Sequence, residues 1–292
     1  MDVIQHFDVL GIGTDVLVTS ESTRDEFSMC LFDCQPGDGP PPHRHAFGDE
    51  VFMVVSGQFE VFDGSGWNPI PAGHFVPALR NRVHTFRNSG TAAGKLLSVS
   101  ISGHHDLFLE EISRLAMPQD ARLLMEISER YGISYPRPED DGPSSYSTVL
   151  MEQTTKSRKL LAVLGQDVEI VVSSEDTDNG LMVLTQTSAP GEGVPIHTHL
   201  FEDEIFSIME GEYEVFDGNA WVKLSKGAVW YSLRGRPHGF RNCGQTEAKI
   251  HALAVPGTEL ESLLEGVSGL RAPYDLAQFM EISRKHGVTF ES

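Results

Sequence analysis

The chain has 292 residues, 40% hydrophobic and 22% charged, which is the composition of a folded chain and excludes the disordered class. Its 42 acidic against 22 basic residues give a formal charge of −20, which excludes nucleic acid and anionic membrane surfaces as partners by repulsion. No apolar run approaches the ~18 residues of a membrane span. The acidic opening at Met1-Asp2-Val3 lacks the basic and long apolar stretches of a secretion signal. Three cysteines exclude a disulfide scaffold: Cys30 and Cys34 stand four apart in a predicted strand, too far to bridge, and Cys243 is alone. Reduced thiols and no signal predict a cytoplasmic protein.

In chain order, short β-branched and aromatic runs come first, at 15–20, 27–33, 51–57, 59–64, 74–79, 84–88 and 95–102. Gly, Pro, Asn or Asp breaks them every ~8–12 residues, the pattern of an all-β sandwich or barrel. Two segments of helical period come next. Leu107, Leu109, Ile112 and Leu115 mark 106–116, and Leu123, Leu124, Ile127 and Tyr131 mark 120–131, with Pro118 and Asp120 as stop and cap. The segment 135–143 holds three prolines, a glycine and an acidic run, and reads as a linker or surface arm.

The order then repeats. His43, His45, Glu50, Gly57, Trp67, His84 and Asn88 recur as His197, His199, Glu204, Gly211, Trp221, His238 and Asn242, each 154 residues on. The segment 124–134 is echoed by 279–289, and helices are expected at 258–268 and 274–286. A period this long marks a duplicated domain rather than a solenoid. The expected domains are 1–150 and 151–292, each a β barrel with trailing helices.

The repeated polar residues share one chemistry. His43 and His45 are two apart, so on a strand both point to one face. Glu50 lies across a short turn and His84 comes from a distant hairpin. Three imidazoles and a carboxylate converging inside a barrel carry a heavy desolvation cost unless they serve a purpose. A divalent transition metal relieves it, and this donor set suits Zn, Mn, Fe, Co, Ni or Cu. Such a set leaves up to two positions open on a six-coordinate ion, as catalytic sites do.

These residues carry a resemblance. Gly37-x5-His43-x-His45-x4-Glu50-x6-Gly57 resembles the first motif of the cupin superfamily, and Pro71-x-Gly73 with His84-x3-Asn88 resembles the second. The second half matches with Gly191, His197, His199, Glu204, Gly211, Gly227, His238 and Asn242, without the proline before Gly227. The resemblance is to bicupins of the quercetinase type. It implies two tandem jelly-roll barrels (double-stranded β-helices). It also implies a divalent metal at His43, His45, Glu50 and His84, and a second at His197, His199, Glu204 and His238, up to two per chain.

The expected function is a metal-dependent dioxygenase that uses O2 on an enolic or phenolic, flavonol-like small molecule. Glu50 and Glu204 are ligands that can leave the metal and act as base. The alternatives are a non-oxidative isomerase, decarboxylase or lyase, and a binding module without catalysis. Arg80, Arg82, Arg87, Arg234, Arg236 and Arg241 near the second motifs either receive a substrate carboxylate or pair with acidic groups. Phe47, Phe52, Phe62 and Phe86, with Phe201, Phe206, Phe216 and Phe240, suggest an apolar cavity at each metal or a packed core. Asn88 and Asn242 are expected to hold strand ends, and Cys30 and Cys34 to pack as small hydrophobes. His104 and His105 are read as capping or solvent-facing, while His6, His74, His251 and His286 are isolated. Exposed helical faces leave a homodimer open.

Overall fold

The punctuated runs of the first half form strands β1 (Gln5–Val9), β2 (Ile12–Val18), β3 (Phe27–Cys34), β4 (Arg44–His45), β5 (Asp49–Ser56), β6 (Phe59–Phe62), β7 (Trp67–Pro69), β8 (Val76–Ala78), β9 (Thr85–Asn88) and β10 (Gly94–Ile101). Helices α1 (His105–Ile112) and α2 (Ala121–Arg130) and a last short strand, β11 (Ile133–Ser134), complete this half. The computed structural model describes residues 3–101, 104–116, 118–136, 159–270 and 275–290. The chain divides into two compact units, Met1–Gln153 and Thr154–Ser292. The boundary expected near residue 150 and most of the segment 135–143 lie outside the described residues.

The second unit repeats the order as β12 (Lys159–Val163), β13 (Gln166–Val172), β14 (Met182–Ser188), β15 (Gly193–His199), β16 (Asp203–Glu210), β17 (Glu212–Phe216), β18 (Trp221–Ser225), β19 (Val229–Ser232), β20 (His238–Asn242) and β21 (Ala248–Val255). Helices α3 (Thr258–Ser268) and α4 (Leu276–Lys285) and strand β22 (Val288–Phe290) end it.

Each unit is an antiparallel jelly roll. In the first, one sheet runs β1-β2-β3-β10-β5-β8 and the other β7-β6-β9, to which the His43–His84 bridge and the β11-β4 pair attach. In the second, the sheets run β12-β13-β14-β21-β16-β19 and β18-β17-β20-β15-β22. Alternation decides what enters each barrel. Phe52 and Val54 of β5 join Phe59, Val61 and Phe86 in one core, and Glu50 shares their face at a spacing of two. Phe206 and Ile208 do the same beside Glu204 in the second unit. Cys30 and Cys34 are buried and free, and pack in the first core as expected. Gly39 and Gly193 cross the strands carrying Phe86 and Phe240 so closely that a Cβ would lie 1.9 and 2.0 Å from those carbonyl oxygens. Only glycine lets the loop before each histidine pair run there.

The helices begin and end within a few residues of expectation, except that α1 stops at Ile112, short of Leu115. The chain beyond each helix pair departs from the expected ending. Gly132 and Gly287, with φ of 69° and 75°, close α2 and α4, and the chain re-enters the barrel as a strand. Ile133 pairs with His45 in the first unit, and Val288 pairs with His199 in the second. The first helix of each pair is fastened at an equivalent point. Ser20 N–H donates to Asp106 at 3.0 Å, and Ser174 N–H donates to Glu261 at 2.7 Å. The helices thereby close one mouth of each barrel. Among the described residues, no helix is long and apolar enough to cross a membrane.

Candidate metal centres

His43 and His84 meet because their backbones exchange hydrogen bonds: His43 N–H donates to His84 O at 3.0 Å and His84 N–H to His43 O at 2.8 Å. His197 and His238 stand opposite each other in the β15–β20 register. His45 and His199, two residues on, share their neighbours' face. Glu50 and Glu204 approach from the other sheet. In each unit one donor atom from each of the four residues lies within 4.8 Å of all the others, and all eight residues are buried.

The protonation pattern fits a cation. Nδ1 of His43, His84, His197 and His238 lies 2.9, 3.0, 2.8 and 3.0 Å from the carbonyls of Pro41, Arg82, Pro195 and Arg236. A carbonyl only accepts, so each Nδ1 donates, and a neutral ring turns a lone pair at Nε2 toward the cluster. Nε2 of His84 then faces Glu50 Oε2 at 3.2 Å, and Nε2 of His238 faces Glu204 Oε2 at 2.8 Å. Nε2 of His197 and His199 lie 3.0 Å apart. Acceptor against acceptor at such distances requires a proton or a positive ion between them. The two clusters suit a divalent transition metal, as the donor set predicts.

In the metal-free protein burial pushes the His43 and His197 imidazoles well below their ordinary value, and neighbouring imidazoles add to this. Burial pushes the Glu50 carboxyl up, but hydrogen bonding with His45 and His84 outweighs it and holds the group well below the usual carboxylate range. The same contest at Glu204, with burial opposed first by His199 and then His238, ends at about 2. His199 moves the other way: burial lowers it, while Glu204 and the bond to Glu202 raise it above its ordinary value.

The surroundings of the two centres differ: the sequence shows the contrast of Gly48 with Glu202 beside the ligands, but sequence reasoning missed Ser98 and His105. In the first, Ser98 Oγ donates to Glu50 Oε1 at 2.6 Å, and His105 Nε2 stands 3.8 Å from the same oxygen. His105 is buried, not capping or solvent-facing, because it opens α1 on the side turned to the barrel. In the second, His199 Nδ1 donates to Glu202 at 3.0 Å, and Glu202 is also buried. Gly48 occupies the position equivalent to Glu202 in the first unit.

Each cluster opens on a cavity closed by the trailing helices. The first, of about 300 Å³, reaches His43 and Glu50 and is walled by Phe32, Phe86, Phe108 and Tyr135. The second, of about 120 Å³, reaches His197, His199 and Glu204 and is walled by Phe206, Phe240, Phe279 and Phe290. Of the aromatic residues read from the sequence, Phe86, Phe206 and Phe240 line these cavities. Phe52 packs in the core with its ring 6.1 Å from that of His84. Phe47 and Phe201 point outward, 59% and 40% exposed. Phe62 and Phe216 pack on Trp67 and Trp221.

Most of the arginines are paired with carboxylates. Arg80 grips Asp49 and Arg234 grips Asp203 through side chain and backbone N–H together, which pins the loops leading to His84 and His238. Arg87 pairs with Glu60 and Arg241 with Glu214, each over a tryptophan face. Arg82 is half-buried and Arg236 exposed, and neither lines either of these two cavities. Asn88 holds its strand end as expected, donating to the carbonyls of Cys34 and Ala92, and Asn242 does so to Ser188 and Thr246.

Residues 30–100 and 184–256 each match the cupin domain. The chain is a bicupin. This bicupin is 24% identical over 275 residues to the quercetin 2,3-dioxygenase of Bacillus subtilis (strain 168), with 83% of this chain and 77% of that protein covered. Its fold is similar to a variant of the Bacillus subtilis oxalate decarboxylase at a TM-score of 0.51 and 16% identity, covering 100% of this chain and 87% of that one. It is also similar to a salicylate 1,2-dioxygenase variant of Pseudoaminobacter salicylatoxidans in complex with gentisate. There the TM-score is 0.54 and the identity 12%, over 79% of this chain and 69% of that one. At these identities the solved structures share the fold.

Proposed function

We propose that the bicupin is a metal-dependent dioxygenase that combines O2 with an enolic or phenolic, flavonol-like small molecule. The observation that carries this reading is an apolar, aromatic-walled cavity ending on a buried cluster of three histidines and one glutamate. A divalent ion at His43, His45, Glu50 and His84 would supply a Lewis acid that lowers the pKa of an enolic hydroxyl, with positions to spare beside it.

The chain supplies the rest. Phe32, Phe86 and Phe108 offer flat apolar surface to an aromatic ring. Helices α1 and α2 and strand β11 cover the mouth and exclude bulk water. Glu50 is the proton acceptor of this reading. As a carboxylate it takes a proton from a hydroxyl already made acidic. Glu204 stands at the equivalent place in the C-terminal barrel. A small dicarboxylate is the weaker substrate class, because such an anion needs a free cation in the wall: Arg80, Arg87, Arg234 and Arg241 are committed to Asp49, Glu60, Asp203 and Glu214, and Arg82 and Arg236 line neither cavity. The quercetin 2,3-dioxygenase named among the relatives supports the choice of substrate.

The test couples metal analysis to oxygen uptake. Protein reconstituted separately with Fe, Ni, Co, Cu, Mn and Zn is given flavonols and simpler enols in an oxygen electrode. Oxygen consumed in step with loss of substrate supports the reading. Substrate loss that persists without oxygen points to a non-oxidative lyase, isomerase or decarboxylase. Binding without turnover under every metal leaves a binding module.

A further inference from the structure

The two cavities correspond position for position, so their differences can be read directly. With the helices aligned through Asp106 and Glu261, which accept from Ser20 and Ser174, His105 is answered by Leu260 and Tyr135 by Phe290. In the barrel, Ser98 is answered by Ala252. Polar groups therefore gather at the metal end of the N-terminal cavity. In the C-terminal cavity the equivalent wall is apolar, and its polar side chains Gln166 and Gln186 are bonded to each other at 2.7 Å, where the first cavity has Ile12 and Phe32.

His105 is the group left over. Its side chain is 9% exposed. Its ring lies 5.2 Å from that of His45 and 5.6 Å from that of Phe108. Among the described residues neither ring nitrogen makes a hydrogen bond, and the 3.8 Å to Glu50 Oε1 is too long for one. An imidazole that lines a cavity with no protein hydrogen-bond partner is normally matched there by a ligand or water. Here it lines the cavity beside the cluster. The carboxylates at the ligands reinforce the contrast. Among the described residues Glu50 is the one carboxylate at the first cluster, whereas Glu202 adds a second negative group to the other through His199. A divalent ion in the N-terminal centre keeps more of its positive charge, so an anionic oxygen is favoured there.

We propose that His105 is the hydrogen-bond donor that fixes an oxygen of the organic ligand in the N-terminal cavity, and that the N-terminal barrel alone takes a phenolic or enolic ligand. The choice of ligand class rests on the dioxygenase reading, while the choice of residue and barrel does not. Leu260 and Phe290 give the C-terminal cavity no donor at that place, and its volume is about 120 Å³ against about 300 Å³.

The test uses full-length protein loaded with zinc, which has no redox chemistry, and nitrocatechol, a phenol whose visible absorption shifts when it binds a metal. The expected stoichiometry is one nitrocatechol per chain. His105→Leu, which installs the residue of the other barrel, weakens binding about 10-fold at unchanged zinc content, and His105→Gln, which keeps an N–H, restores most of it. Two equal sites, no binding, wild-type affinity in His105→Leu, or loss of affinity only together with loss of zinc would each overturn the proposal. Failure of the dioxygenase reading looks different. Nitrocatechol then still binds once per chain and still depends on His105, yet no enol or phenol drives oxygen uptake with any metal.

Discussion

Ser98 Oγ donates to Glu50 Oε1 at 2.6 Å, and the residue in its place in the second repeat is Ala252. The bond fixes one carboxylate oxygen and leaves Oε2 turned to His45 and His84, at 3.4 and 3.2 Å. Glu204 keeps the same Oε2 contacts with His199 and His238 without that hydroxyl. Removing a group that orients a ligand typically costs about 10–100-fold in metal affinity. Ser98→Ala is therefore expected to weaken the N-terminal centre by about 10-fold or more and leave the C-terminal centre unchanged. A metal titration that resolves two sites checks this, and equal weakening of both would contradict it.

The glutamates themselves are first in line for substitution. Gln matches Glu in shape but has no negative charge to offer a divalent ion. Glu50→Gln is expected to empty the N-terminal centre and Glu204→Gln the C-terminal one. Each takes a chain that holds two equivalents of metal by elemental analysis down to one. Unchanged metal content in either variant would remove that glutamate from the ligand set.

Acid should separate the centres. His199 lies above its ordinary value because Glu204 and Glu202 favour its charged form despite burial, and the first unit has Gly48 where Glu202 stands. As pH falls from about 8 toward 5, His199 gains a proton early, and a protonated imidazole cannot bind metal. The C-terminal centre is expected to lose metal at the higher pH, and Glu202→Gln to shift that loss downward. In the metal-free protein, linkage sets the signs. The raised His199 stabilises the fold below its unfolded value and loses that contribution as pH rises through its folded value. The depressed Glu204 stabilises it above its unfolded value and loses that as pH falls toward about 2. Metal content after equilibration at each pH measures the first effect, and melting of the metal-free protein measures the second.

The eight cluster residues were legible in the sequence because fixed spacing on strands is a local property that the duplication displays twice. The helices were legible from their period. The strands β11 and β22 were not, since Ile133-Ser134 and Val288-Thr289 come directly after helical sequence, and only the glycines before them mark the break. His105 was invisible for another reason. It lies 55 residues from Glu50 in sequence, and nothing local distinguishes it from the exposed His104 beside it. The available signal was the repeat itself, which sets a histidine against Leu260. Phe47 and Phe201 misled in the opposite sense: closeness to a ligand in sequence says little where side chains alternate between faces.

Asn88 and Asn242 carry the same duty in each barrel, which makes them a matched measurement of stability. The Asn88 side chain donates to Cys34 O and Ala92 O at 2.9 Å each and accepts from Gly90 N–H at 2.9 Å. Asn242 repeats all three with Ser188 O, Thr246 O and Gly244 N–H, at 2.9, 2.8 and 2.9 Å. Both residues are 1% exposed, and alanine takes the donor from one carbonyl at a buried residue in each barrel, Cys34 or Ser188, and from one at an exposed residue, Ala92 or Thr246. At about 1 kcal/mol for each bond, either substitution is expected to cost about 3 kcal/mol in its own barrel. The two sites share no partner, so the double variant should lose the sum of the single losses. Urea unfolding of the singles and the double checks this. A loss well under about 1 kcal/mol at either site would mean that the turn is held by its backbone bonds alone, namely Gly37 N–H to Asn88 O and Gly191 N–H to Asn242 O.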